Sequence, residues 1–165
     1  MKFKILLLSL VGFVLISLVI NSCKKDNSGT ISALFTDGRW QLASILVTNT
    51  DGIITTIETL NTTCDSTQVF TFGSNTCTYS NFDCIPQKSS GSWSLSKDQL
   101  TLYSTMTCQD TTAKHSSMPF DTAQIVTLGQ YSMVLQTGNF NVIPTTINKT
   151  RVVRYGFVRQ KTINW

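Results

Sequence analysis

Charged side chains are scarce: Lys, Arg, Asp and Glu make up 13% of the 165 residues, with a net charge of +4. Lys and Arg are scattered rather than clustered, so the chain offers no polyanion-binding surface and nucleic acid is excluded as a partner. Histidine occurs once, as His115, between Lys114 and Ser116 in a polar stretch, and it reads as a solvated loop residue rather than a general base. The nine acidic residues are dispersed, and no Gly-x-Ser-x-Gly elbow, phosphate loop or metal motif occurs. These absences argue against an enzyme, and no cofactor or metal is expected. No stretch after residue 37 sustains an apolar period of 3.6, which leaves Thr30–Phe35 as the only helical candidate.

Long hydrophobic runs are limited to one. Ile5 to Ile20 forms sixteen uncharged residues behind Lys2 and Lys4. A spanning helix needs about 20 apolar residues, so this run reads as the apolar core of an export signal. It ends at Ile20-Asn21-Ser22-Cys23, which resembles the relaxed lipobox of Bacteroidetes-type lipoproteins. That resemblance implies cleavage after Ser22 and acylation of the Cys23 thiol. Two or three acyl chains, at about 0.8 kcal/mol per buried CH₂, hold a protein firmly on a membrane. Residues 1–22 are therefore expected to be a lipoprotein signal peptide and residues 23–36 the lipidated cysteine and tether. A domain spanning residues 37–165 would then lie in the cell envelope, on the periplasmic face of the outer membrane or at the cell surface. Loss of the leader removes two lysines and leaves the mature chain at +2 of the original +4.

What the mature region does contain is Thr, Ser, Val, Ile and aromatic residues, a bias towards strands. From Gly38 the chain breaks into short runs separated by Gly, Asn, Asp, Ser and Pro. Strands are expected near 39–48, 53–60, 67–73, 76–82, 90–95, 99–105, 122–128, 131–137 and 150–160. Tight turns join most of them: Asp51-Gly52, Gly73-Ser74-Asn75, Ser96-Lys97-Asp98 and Gly129-Gln130. Neighbours in sequence should then be neighbours in the sheet. A meander of this length exposes two edges unless it closes, so an up-and-down barrel is favoured over a two-sheet β-sandwich. If Phe72 lies opposite Cys77, then Phe70 faces Tyr79 and all four point inward. Leu100 and Leu102 should alternate inward in the same way, as should Tyr155 and Phe157.

The segment from Gly38 resembles the lipocalin-like domain of Bacteroidetes-type lipoproteins. The resemblance rests on Gly38-Arg39-Trp40, matching a Gly-x-Trp whose tryptophan packs across the closed end. It continues through Cys64-Asp65, Val69-Phe70-Thr71-Phe72, Gly91-Ser92-Trp93-Ser94-Leu95, Asp98-Gln99-Leu100-Thr101-Leu102 and Tyr155-Gly156-Phe157-Val158-Arg159. It implies an all-β, antiparallel, eight-stranded barrel able to hold a small apolar molecule. The inward faces make Trp40, Phe70, Phe72, Tyr79, Trp93, Leu102, Tyr155 and Phe157 the candidate ligand-binding residues. Two features depart from the family pattern: the long polar insert Thr107–Phe120, and the cysteines Cys77 and Cys108. The alternative function is an envelope protein–protein interaction module, with a filled barrel and recognition by the loops Thr107–Phe120 and Gly138–Lys149.

With Cys23 acylated, four cysteines remain, and three disulfide connectivities are open. Their spacings of 13, 7 and 24 residues do not suit structural zinc, which takes ligands in close pairs. The meander places Cys64, Cys84 and Cys108 near one end and Cys77 towards the other. The family resemblance implies Cys64–Cys84, which leaves Cys77 and Cys108 as the remaining pair.

Overall fold

The computed structural model describes residues 28–51, 54–60, 64–110, 116–141 and 148–160. The leader, Cys23 and His115 lie outside the described residues.

Helix α1 (Ser28–Thr36) is followed by β1 (Arg39–Asp51), β2 (Ile54–Leu60), β3 (Val69–Phe72), β4 (Thr76–Ser80) and β5 (Lys88–Leu95). Then come β6 (Thr101–Ser104), the two-residue strands β7 (Cys108–Gln109) and β8 (Ser116–Ser117), β9 (Thr122–Leu128), β10 (Ser132–Gly138) and β11 (Lys149–Arg159). The sheet runs β11-β10-β9-β6-β5-β4-β3-β1 and closes where β1 pairs back onto β11. The result is a closed, antiparallel eight-stranded barrel rather than a sandwich. Strand β3 pairs with β1 only from Arg39 to Gln41, and β2 takes over the same edge of β1 from Ile45 to Asp51. The nine expected strands are all present; the β7–β8 hairpin inside the insert is an addition.

Register follows from which residues must be buried. Phe70 lies opposite Tyr79 and Phe72 opposite Cys77, as the alternation required. Strand β1 carries an irregularity between Leu42 and Ser44. One extra residue reverses the in–out parity, so Trp40 and Leu42 face inward before it and Ile45 and Val47 after it. Leu100 departs from its expected inward position: it sits in the β5–β6 turn, before the ladder begins, and is 58% exposed.

Helix α1 closes one end. It falls within the segment expected to be tether, yet its Phe35 is buried against Phe72 and Trp93, with ring centroids 4.9 and 5.4 Å away. Trp40 donates from Nε1 to the Phe35 carbonyl at 3.0 Å, and the Arg159 guanidinium lies 4.5 Å over the Trp40 ring. Arg159 also donates to the Leu34 carbonyl at 2.6 Å, to the Asp37 carboxylate at 2.7 Å and to the Asp37 carbonyl. A desolvated cation over an indole stabilises by about 2 kcal/mol, and the hydrogen bonds lock the helix's last turn to the final strand. Gly38 has φ 129°, which only glycine adopts readily, and it lets the chain turn from α1 into β1.

Candidate functional site

The barrel interior is occupied by the chain's own side chains. Trp40, Phe70, Phe72, Tyr79, Trp93, Leu102 and Phe157 are all buried in a single cluster with Phe35, Met106, Met133 and Leu135. Of the eight residues singled out from the sequence, Tyr155 is the one that stays partly exposed, and it lines the mouth cavity, while the buried Trp93 borders a surface cleft at the closed end.

The insert supplies the plug. After β6 the chain stays beside β5: the Thr105 amide donates to the Ser92 carbonyl at 3.0 Å, and the Ser92 amide to the Thr105 hydroxyl at 3.0 Å. It then crosses Gly91 so closely that a Cβ there would lie 2.5 Å from the Met106 nitrogen, which accounts for glycine at that position. Met106 and Cys108 are thereby fully buried. The Gln87 side chain ties the insert down: its Nε2 donates to the Gln109 carbonyl at 2.7 Å and its Oε1 accepts from the Gln109 amide at 2.8 Å. At the far end of the insert, a turn in which the Asp121 amide donates to the Met118 carbonyl sends Phe120 inward. The Phe120 ring lies 5.0 Å from Phe70, 5.0 Å from Tyr155 and 5.8 Å from Tyr79, the last nearly parallel at 18°. It fills the volume that an apolar guest would otherwise enter.

Above this plug a cavity of about 420 Å³ opens at the mouth. Ile45, Val47, Phe82, Val153 and Tyr155 form its apolar part, and Gln68, Asp83, Asp110 and Arg151 stand among its polar lining. Pockets of roughly 300–1,000 Å³ with an apolar body and a few convergent polar groups are typical of small-molecule sites. Gln68, 5% exposed, organises one wall. Its Oε1 accepts from the Tyr79 hydroxyl at 3.4 Å and the Asp83 amide at 3.1 Å, and its Nε2 points at the Cys64 sulfur at 3.3 Å. Asn81, Asp83 and Cys84 all have φ between 54° and 60°, so this wall is a left-handed turn held by those bonds and by the disulfide.

Cys64 and Cys84 are bridged, with Cα atoms 5.3 Å apart. Cys77 and Cys108 are free buried thiols, so the second expected pairing is not formed. Each has its own partner instead: Cys77 sits 3.3 Å from the Ser104 hydroxyl and Cys108 bonds Ser89. Burial pushes both thiols up, which keeps them protonated and poorly nucleophilic.

Burial pushes the Tyr155 phenol up to about 12, with Arg151 opposing and Asp83 and Cys108 reinforcing the shift. Tyr79 is raised by burial as well. A phenol whose folded pKa exceeds its unfolded value near 10 stabilises the fold fully below pH 10 and loses that contribution as the pH climbs towards 12. Denaturant melts at about pH 9 and about pH 11.5 should differ by on the order of 2 kcal/mol, part of which disappears in Tyr155→Phe. An equal loss in wild type and variant would remove Tyr155 from that account.

Among the described residues no group of three His, Cys, Asp or Glu side chains could hold a metal ion. Met106 just before the insert, Phe120 at its end, the hub Gln68 and the mouth residues Ile45, Val47, Val153 and Arg151 were not singled out from the sequence. One signal was available: Phe120 is the lone aromatic of a polar insert. The bulge that turns Ile45 and Val47 inward leaves no mark in composition. In comparison with known proteins, a family model described as a lipocalin-like domain matches residues 36–135, more than half of the chain. No curated protein matches it.

Proposed function

The chain belongs to the lipocalin-like domain family, and from that premise we propose that it is an envelope lipoprotein, anchored through Cys23, that takes a small apolar-bodied molecule at the barrel mouth. The carrying observation is the mouth cavity, whose mixed lining sets Ile45, Val47, Phe82, Val153 and Tyr155 among polar side chains. The packed interior restricts the guest to this upper chamber, so a short or compact molecule suits it better than a long extended chain. The role we infer is binding, and among the described residues the two free thiols are buried and protonated.

Native mass spectrometry together with a fluorescent fatty-acid titration tests the binding. Saturable binding by wild type, lost in the cavity-filling variant Ile45→Trp with the fold retained, is the expected result. Absence of a bound species and of a saturable signal would overturn it. Anchoring is tested separately, because Cys23→Ser should move the protein from the membrane to the soluble fraction.

One observation favours the alternative of an envelope interaction module: the interior is occupied by the chain's own buried side chains. In that reading the loops around the mouth, including the insert 107–120, contact another envelope protein. Pull-down from native membranes, with and without that insert, separates the two readings.

A further inference from the structure

Among the described residues, exposed large apolar side chains occur at both ends: Met118, 52% exposed, beside the mouth-lining Ser117 and Pro119, and a larger set at the closed end. Leu100, 58% exposed, and Tyr131, 72% exposed, sit on the β5–β6 and β9–β10 turns, both at the end closed by α1. They continue into Val126 and Val158, each 45% exposed, on the adjoining outer wall. Register sets these residues on neighbouring strands, with the exposed Thr127 and Ser132 between them. The Leu100 carbonyl accepts from the Ile125 amide at 2.8 Å, next to Val126; Thr127 pairs with Val134; Ser132 pairs with Val158; and the Arg159 amide donates to the Tyr131 carbonyl at 2.9 Å.

Chain length decides what these residues can meet. Helix α1 begins at Ser28, and Ser32, one turn further, lines the same surface cleft as Ser74, Asn75 and the turn residues Ser96, Lys97 and Gln99. The chain therefore enters the domain at the closed end. Five residue steps separate Cys23 from Ser28, a reach of at most about 18 Å. The 11-residue strand β11, at about 3.3 Å per residue and tilted about 40°, makes the barrel roughly 28 Å tall. A tether shorter than the barrel cannot let the mouth face the bilayer while the lipid stays inserted.

We propose that the closed end is a membrane-contact face, with Leu100 and Tyr131 seated at the lipid interface and the ligand-binding mouth turned away from it. The proposal rests on the anchoring reading. Tyrosine is at home at that interface, where its ring meets acyl chains and its hydroxyl meets water. Lys97 and Asp98 are both exposed in the same turn as Leu100, so their charges offset there, while Arg39, also exposed at this end, adds one cation to an otherwise apolar contact. A zwitterionic phosphatidylcholine surface should suffice.

The test uses the full acylated chain in phosphatidylcholine vesicles carrying nitroxide-labelled lipid. An environment-sensitive maleimide is attached at Tyr131→Cys or, at the mouth, at Asn139→Cys. Cys77 and Cys108 are buried, and unsubstituted protein sets the background. Intact mass first establishes the diacylglycerol adduct on Cys23. Quenching several-fold stronger at position 131 than at 139 is expected. Equal quenching, or stronger quenching at 139, on acylated protein overturns the orientation and leaves the anchor standing. Absence of the acyl mass overturns both.

Discussion

Phe120→Ala should be the most damaging single truncation at the mouth, costing about 3–5 kcal/mol in denaturant unfolding. Its ring touches aromatic side chains from β3, β4 and β11, so its loss leaves a void bordered by rigid rings that cannot collapse inward. A dry apolar cavity of that kind accepts apolar guests. The variant should therefore gain affinity for a fatty-acid probe even as it loses stability, and should take longer chains than wild type. Loss of stability without any change in the length of guest accepted would show that Phe120 is core but not the stop that sets cavity depth.

The second large effect concerns the Cys64–Cys84 bridge, which closes a segment with a sequence separation of 20. In the chain-entropy model a loop of that size contributes about 3 kcal/mol. Its removal by a Cys64→Ser, Cys84→Ser double substitution should lower the unfolding free energy by about that amount. The bridge also holds the left-handed turn at Asn81–Cys84 against Gln68, so ligand affinity should fall with stability. A reducing agent should reproduce both losses in wild type and change neither in the double variant. Unaltered stability on reduction would mean that the bridge adds nothing beyond the packing around it.

The scaffold was legible because strand formation here is governed by local chemistry. The Gly73–Asn75 turn sets the pairing of Phe70 with Tyr79, and alternation in β3 and β4 then points four side chains inward without long-range information. The place of Trp40 at the closed end was implied by the family resemblance, whereas the stacking of Arg159 on it was not read from the sequence. The insert was not legible. Its path depends on the missing side chain of Gly91 and on the Gln87 amide bridging to Gln109, contacts between residues far apart in sequence that no periodicity encodes. The ligand candidates were named from the inward faces alone. Facing inward is a property of strand parity, whereas lining free space depends on what else enters the barrel, and here Met106 and Phe120 enter it. Leu100 failed for a local reason: it belongs to the turn rather than to the ladder, where alternation no longer applies.

Placement of a bound guest is the most direct test of the account. A nitroxide-bearing fatty acid titrated into protein with labelled methyl groups should broaden Ile45, Val47 and Val153 around the mouth cavity. Met133 and Leu102, nearer the closed end, should stay sharp. Broadening strongest at Met133 and Leu102 would place the guest inside the barrel and contradict a mouth site capped from below.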